Sequence, residues 1–267
     1  MGSNVIGLES IEQDAWRRLA EIMPPELARG IGFECEPMGE ALFMMAARIP
    51  AFQFNWLAGA GLKSDDSDEV GRAVARFRAA GQMKFIIQVP PGPYAAHVVQ
   101  RAKSEGLAEH PLAWAKFVRE ADEPPRGGFA AHVREVGVDE ADLFAATVVA
   151  GFGMPPPIAR WVREIVGLPG WRCFLSELDG SPVGGGALFV RGDFAWLGIG
   201  ATKPEARKRG SQSALIARRI SAARRDGARW IVTETGVPQP GQPAQSYKNI
   251  LAAGFKVAYV RPNWSPA

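Results

Sequence analysis

Cysteine and histidine are scarce: two cysteines and three histidines in 267 residues. Cys35 and Cys173 stand far apart in separate apolar contexts. They suggest neither a disulfide framework nor a metal site, and a reducing compartment is the simple reading. His97, His110 and His132 have no metal-ligand spacing and no nucleophile partner, so no metal is expected. A long hydrophobic run is missing too. The longest, Leu143–Ala159, ends in Pro155-Pro156-Pro157 and is too short and too broken to span a bilayer. The N-terminus lacks the basic segment and apolar core of a signal peptide. Charge of one sign is not in large excess: the net charge is +3 and the pI about 9.0, which does not by itself imply a nucleic-acid partner. These absences lead us to expect a cytoplasmic protein with no membrane and no nucleic-acid partner. No sequence feature sets an oligomeric state.

What is present is a globular composition, 47% hydrophobic and 22% charged, in a chain long enough for two domains of about 130 residues. A repeat supports two. "FNWLAGAGL" (Phe54–Leu62) and "FAWLGIGAT" (Phe194–Thr202) share Trp third, Leu fourth and glycine near the end, and each reads as a strand. Each is followed by a charged loop and an amphipathic helix, expected over Glu69–Ala80 and Ser211–Asp226. Apolar strands come next, Met83–Val89 and Arg229–Thr235, then Pro/Gly-rich loops and short helices that stop at Gly106-Leu107 and Gly254-Phe255. Final strands follow at Leu112–Val118 and Lys256–Pro262. The order strand, helix, strand, helix, strand thus occurs twice. "EADEPPRGG" (Glu120–Gly128) is the linker candidate, giving domains 1–122 and 128–267. Before its repeat unit the second half adds a strand over Phe129–Val138, helices over Asp139–Ala150 and Pro157–Val166, and a hairpin turning at Asp179-Gly180. The expected class is α+β, a mixed, mostly antiparallel sheet with one parallel pair flanked by helices in each domain.

One stretch concentrates charge. Lys203, Arg207, Lys208 and Arg209 crowd the residues before Gly210, and a helix opens at Ser211. A helix N-terminus offers unpaired N–H groups and partial positive charge, and glycine admits close approach to the backbone. Together these make an anion site suited to phosphate or pyrophosphate. The plainer alternative is a solvated basic loop. Arg218, Arg219 and Arg225 read as the solvated face of the helix, opposite Leu215, Ile216 and Ile220.

With its flanks, this stretch resembles the GNAT superfamily of N-acetyltransferases. Pro204-Glu205-Ala206-Arg207 and Arg207-Lys208-Arg209-Gly210-Ser211-Gln212 match its P-x-x-R and R/Q-x-x-G-x-G/A pattern, with Gln212 in place of the last small residue. "SYKNILAAGF" (Ser246–Phe255) is similar to the helix and Gly-Phe that close that fold, and the resemblance covers about residues 130–260. It implies two GNAT-like domains, the first degenerate, and acetyl-CoA as cosubstrate. The coenzyme's pyrophosphate would be held by Arg207, Lys208, Arg209, Gly210, Ser211 and Gln212. Its pantetheine arm would lie along a bulged strand at Ile199, Ala201 and Thr202, with Asn249 as a further contact. The glycines of Gly198-Ile199-Gly200 suit such a bulge, or else tight packing. In the first half the corresponding loop, Lys63–Glu69, carries Asp65, Asp66, Asp68 and Glu69, which suit helix capping and oppose a pyrophosphate.

The implied reaction is direct attack of a primary amine, expected to be a small molecule's, on the thioester in a ternary complex. It needs a general base and gains from a general acid. Family members often carry an acidic Tyr where this chain has Ile250. Tyr247, one helical turn earlier, is the substitute, unless it merely packs. Glu234 is the candidate base, unless it pairs with a neighbouring Arg, and Glu177 is a further one. Asn249 and Ser246 either contact the coenzyme or satisfy their own helix. Phe152, Met154 and Trp161, around "GFGMPPP" (Gly151–Pro157), line an acceptor pocket or cover the core. The alternative function is a non-catalytic acyl-CoA-binding or interaction module.

Overall fold

The structure, a computed structural model, describes residues 2–64, 68–125, 127, 129–241 and 244–267. Asp65 and Asp66 of the acidic loop, Arg126 and Gly128 of the linker, Gln242 and Pro243 before the last helix, and Met1 lie outside the described residues.

The first 53 residues, to which the repeat assigned nothing, hold four elements. Helix α1 (Gly2–Glu21) forms because Leu8, Ile11, Ala15 and Leu19 recur every three or four residues, and all four are buried. Helix α2 (Pro25–Ile31) opens on proline and ends at Gly32 in the left-handed region. Strands β1 (Phe33–Met38) and β2 (Ala41–Ala46) pair antiparallel.

The repeat unit follows as β3 (Trp56–Ala58), α3 (Asp68–Ala79), β4 (Ile86–Gln88), α4 (Ala95–Ser104) and β5 (Leu107–Glu109). Helix α3 buries Val70, Ala73, Val74 and Phe77, with Asp68 and Glu69 in its first turn and Arg76 and Arg78 in its last. Strand β6 (Trp114–Glu120) then leads to the second half: β7 (His132–Glu135), α5 (Ala141–Phe152), α6 (Ala159–Val162), β8 (Trp171–Leu178), β9 (Ser181–Arg191), β10 (Phe194–Trp196) and β11 (Ala201–Thr202). The chain ends with α7 (Ser211–Arg225), β12 (Trp230–Gly236), α8 (Gln245–Ala252), β13 (Lys256–Arg261) and β14 (Asn263–Pro266). The architecture is α+β, with two mixed, mostly antiparallel sheets flanked by helices. Each sheet carries a parallel pair at the repeated position, β3 with β4 and β10 with β12.

The two halves exchange strands, which the repeat did not foresee. The first sheet runs β1-β2-β3-β4-β14-β5, and the second runs β13-β6-β12-β10-β9-β8-β7, with β11 on β9. The segment expected to close the first copy therefore pairs inside the second sheet, between β12 and β13. The extreme C-terminus pairs inside the first sheet, between β4 and β5. β5 continues into β6 and β13 into β14, so two antiparallel chains form one ribbon crossing both sheets. Asn263 clamps the crossing: its Nδ2 donates to Leu112 O at 2.7 Å, and its carbonyl accepts from His110 N at 2.8 Å.

Trp264 of β14 is 7% exposed and packs into the first half's core, with Lys103 over its ring. Trp264→Ala should cost about 3–5 kcal/mol, like any large aromatic removed from a core. Chemical denaturation checks this, and a cost under about 1 kcal/mol would mean that the terminal strand does not bind the sheet.

Candidate active site

The second sheet parts where β10 ends. Leu197 N still donates to Val232 O at 2.8 Å and Gly198 O still accepts from Ala187 N of β9 at 3.3 Å, but Ile199 and Gly200 leave the ladder before the chain pairs again as β11 on β9. Ile199 adopts φ 51, a left-handed conformation that costs a side-chain-bearing residue about 1–2 kcal/mol. A Cβ at Gly198 would overlap the Trp196 ring. Close packing thus requires glycine at Gly198, beside the left-handed turn at Ile199.

Arg219, in the middle of α7, braces this opening from below. Its Nε donates to Leu215 O, and its Nη1 donates to Ala187 O at 3.2 Å and to Gly198 O at 3.0 Å, a carbonyl that also accepts from Ala187 N at 3.3 Å. The solvated face expected for Arg219 is therefore incorrect: the residue is 2% exposed. Room comes from Gly186 of β9, where a Cβ would sit 3.0 Å from the guanidinium carbon. Burial lowers the Arg219 pKa to about 10. Arg218 is half-buried, with its guanidinium over the Phe174 ring, while Arg225 is exposed as expected.

A groove of about 1150 Å³ runs from the parted strands to the N-terminus of α7. Gly210 caps that helix with φ 82 and no side-chain cap bond, so the first amides of α7 face the groove. Arg207, Lys208, Gly210, Ser211 and Gln212 line it, and so do Ala201, Thr202, Tyr247 and Asn249. Arg207 is held by Thr202 O and Gly151 O, at 3.4 and 3.3 Å. Two of the four clustered cations turn away: Arg209 pairs with Asp179 at 3.2 Å, and Lys203 donates to Pro182 O at 2.8 Å. Of the residues assigned to the coenzyme, Arg209 thus points its side chain elsewhere, and Ile199 lines a second cavity instead. The Asn249 side chain accepts from Gln245 at 2.8 Å, and the Tyr247 ring packs edge-on against Phe117.

The groove suits an anion attached to a chain of amides. Basic side chains and free helix amides stand at one end. Gln212 Oε1, from the first turn of the same helix, is buried without a partner among the described residues. The first half differs at the corresponding place. There Glu69 of α3 is fully buried and accepts from Glu40 N, and Glu40 accepts from Lys63 N and Ser64 N. Its carboxylates tie the turn between β1 and β2 to the start of α3 and to the loop before it.

The second cavity, about 360 Å³, adjoins the groove, and both share Phe152, Gly200, Gln212, Thr235 and Ser246. Its wall is mainly apolar. Phe152, Met154 and Trp161 line it, and Trp16, Leu19 and Phe54 of the first half complete it. Ile250, at the position where family members carry tyrosine, is also in this wall.

Glu234 is the carboxylate in this wall. It accepts from Trp196 Nε1 at 3.0 and 3.1 Å and pairs with Lys116 at 3.3 Å. Lys116 stands opposite it on the exchanged strand β6 and also pairs with Glu12. Arg261 of β13 pairs with Glu12 at 2.8 Å and Glu9 at 3.0 Å, and Tyr259 OH donates to Glu9 at 2.6 Å. Lys116 is 0% exposed, and Arg261 and Glu9 are each 1% exposed. Three carboxylates therefore meet two cations in a dry space. Burial opposes the charge on Glu12, yet Arg261 and Lys116 outweigh it and hold Glu12 down at about 2. For Glu234, burial and the Glu12 charge prevail over Lys116 and Arg261 and raise it to about 7.

The sequence reading named Glu234 but none of its supporters. Glu9, Glu12, Trp16 and Leu19 fall at spacings of three and four along α1, a stripe that could have been read. Lys116 and Arg261 could not be read, because their placement depends on the strand exchange. Glu177 serves elsewhere: it pairs with Arg134 at 2.7 Å.

Solved structures similar to this chain include a GCN5-related N-acetyltransferase from Sphaerobacter thermophilus, at TM-score 0.60 and 17% identity, covering 90% of this chain and 84% of that one. Another, from Kribbella flavida, has TM-score 0.54 and 15% identity over 94% of this chain and 95% of that one. A tandem GNAT protein from the clavulanic acid biosynthesis pathway has TM-score 0.56 and 14% identity over 84% and 77%. No protein-family model matches the sequence, and no curated protein matches it significantly. At these identities the likeness is one of fold. The chain has the GNAT acetyltransferase fold in a two-sheet, tandem form. Among the described residues, no helix is long and apolar enough to cross a membrane.

Lys116→Met should destabilise the protein by about 3–5 kcal/mol, because it leaves buried carboxylates facing one cation instead of two. It should also raise the Glu234 pKa further, since the Lys116 charge now lowers it. Denaturant titration measures the first effect, and the pH dependence of Glu234 ionisation measures the second.

Proposed function

We propose that the protein is an N-acyltransferase that moves the acetyl group of acetyl-CoA to a primary amine of a small molecule, in a ternary complex. The observation that carries this reading is the junction of an anion-binding groove with an apolar cavity whose carboxylate, Glu234, has a pKa of about 7. The coenzyme would supply a thioester-activated acyl group. Arg207, Lys208 and the amides of Ser211 and Gln212 would bind its phosphates, and Gln212 Oε1 would accept one of its amide N–H groups.

Glu234 then acts as general base. A base with a pKa near neutrality accepts a proton readily and is still ionised in an ample fraction of molecules at pH 7. The amine nitrogen attacks the thioester carbonyl carbon, a C–N bond forms and the C–S bond breaks. The nitrogen's proton passes to Glu234. The departing thiolate is protonated by Tyr247, whose residue lines the groove, or by water. Holding amine and thioester at one junction supplies much of the acceleration. A non-catalytic acyl-CoA binder is the second reading, favoured by Ile250 standing where the family's tyrosine acid would be. Turnover with amines separates the two.

Acetyl-CoA at about 100 times its Kd should stabilise the protein by about 2.7 kcal/mol, a thermal shift of several degrees. Arg207→Glu should abolish the shift, and an undiminished shift would remove the groove from coenzyme binding.

The acid limb of catalysis should follow Glu234. kcat/KM, corrected for ionisation of the amine itself, should rise with pH and level off above about pH 7. Glu234→Gln should remove that limb and lower the rate about 10²–10⁴-fold. A limb that persists in the variant would assign the base elsewhere.

A further inference from the structure

We propose that the 360 Å³ cavity is the acceptor's site and takes a primary amine carrying an aromatic or similarly bulky apolar group, against a wall to which the first half of the chain adds Trp16, Leu19 and Phe54. This inference rests on the acyl-transfer reading and adds the substrate class.

Size is the first argument. A dry cavity of about 150 Å³ is enough to bind benzene. This one is more than twice as large, far beyond what an acetyl group needs, and it has room for a ring, a short linker and an amine. Its chemistry is the second argument. Trp16, Leu19, Phe54, Val148, Trp161 and Ile165 are among its lining residues, and polar side chains such as Gln53, Thr233 and Ser246 are the minority, so a multiply charged acceptor would lose more water than it gains in partners. The aromatic faces would instead favour a cation bound to an apolar group. Arg219 also lines the cavity, but its guanidinium is turned to the carbonyls of Leu215, Ala187 and Gly198.

The third argument decides between acceptor and acyl chain. The base belongs beside the group that loses a proton, which is the amine. Glu234 stands in the wall of the cavity and not in that of the groove. A long acyl chain filling the cavity would cover Glu234 and keep the amine from it.

This reading also gives the first half a task. Its own corresponding helix carries Asp68 and Glu69 in the first turn, which oppose a phosphate there. Through α1 and the turn at Phe54, however, it forms one side of the acceptor space. The Trp161 indole, donating to Leu19 O at 2.7 Å, fastens the two sides together.

The test compares 2-phenylethylamine with ethylamine, and acetyl-CoA with butyryl- and octanoyl-CoA, by release of the coenzyme thiol. Direct binding of each amine is read in parallel from quenching of the tryptophans in the wall. kcat/KM for 2-phenylethylamine should exceed that for ethylamine at least about tenfold, since one buried methylene alone discriminates by about ten- to 200-fold. Octanoyl-CoA should be the poorest donor. Phe54→Ala should narrow the gap between the amines while the acetyl-CoA thermal shift is retained, which shows that the variant is folded. Trp161→Leu provides the same comparison if Phe54→Ala does not fold. Equal or better turnover of ethylamine, or a rate that rises with acyl chain length, would overturn the proposal. So would acetyl-CoA binding without turnover or quenching by 2-phenylethylamine. Quenching by 2-phenylethylamine without any acetyl-CoA binding would instead sink the acyl-transfer reading and leave the cavity's preference standing.

Discussion

Two cations and three carboxylates share one water-poor space beneath the apolar cavity, and the arrangement around them follows from balancing that charge. Lys116 comes from β6, Arg261 from β13, Glu234 from β12, and Glu9 and Glu12 from α1. An uncompensated buried ion is costly, so each of these elements is held to the others. The surplus negative charge is relieved most cheaply by a proton, and it settles on Glu234. Glu12 is held ionised by Arg261 and Lys116, whereas Glu234 has Lys116 and the indole of Trp196. The feature that locks the halves together thus also sets the ionisation of the carboxylate facing the cavity.

The halves have diverged around a common plan. Each keeps a parallel strand pair followed by a helix, and each needs an answer to that helix's unsatisfied N-terminus. In the second half it remains open beneath a groove edged with Arg207 and Lys208. In the first half Asp68 and Glu69 stand in the helix's first turn instead. The ribbon that crosses both sheets makes the two inseparable: β6 gives the second sheet Lys116, and β14 gives the first sheet Trp264.

Local pattern made much of this legible. The hairpin at Asp179-Gly180, the helix opening at Ser211 and the glycines at the bulge all follow from residue chemistry within a few positions. So did Glu234, and the apolar trio Phe152, Met154 and Trp161. The strand exchange was not legible, because Leu112–Val118 reads as a strand without saying which sheet it joins. Arg219 was misread because its place depends on Gly186, across the sheet and 33 positions away (219 − 186). Arg209 was counted with its neighbours because sequence shows that charges are adjacent, not which way they point. The stripe of α1 was overlooked, although its spacing was on view.

The most direct test is the ionisation of Glu234 itself in the whole unliganded chain. Carbon-13 NMR of glutamate-labelled protein, with Glu234→Gln assigning the resonance, would follow its carboxyl through a pH titration. Half-protonation near pH 7 is the expected result, with Glu12 staying ionised until the solution is strongly acidic. A Glu234 that titrates in the ordinary carboxylate range, about 4–4.5, would mean that the buried cluster does not hold its surplus charge there, and the account of the site would fail.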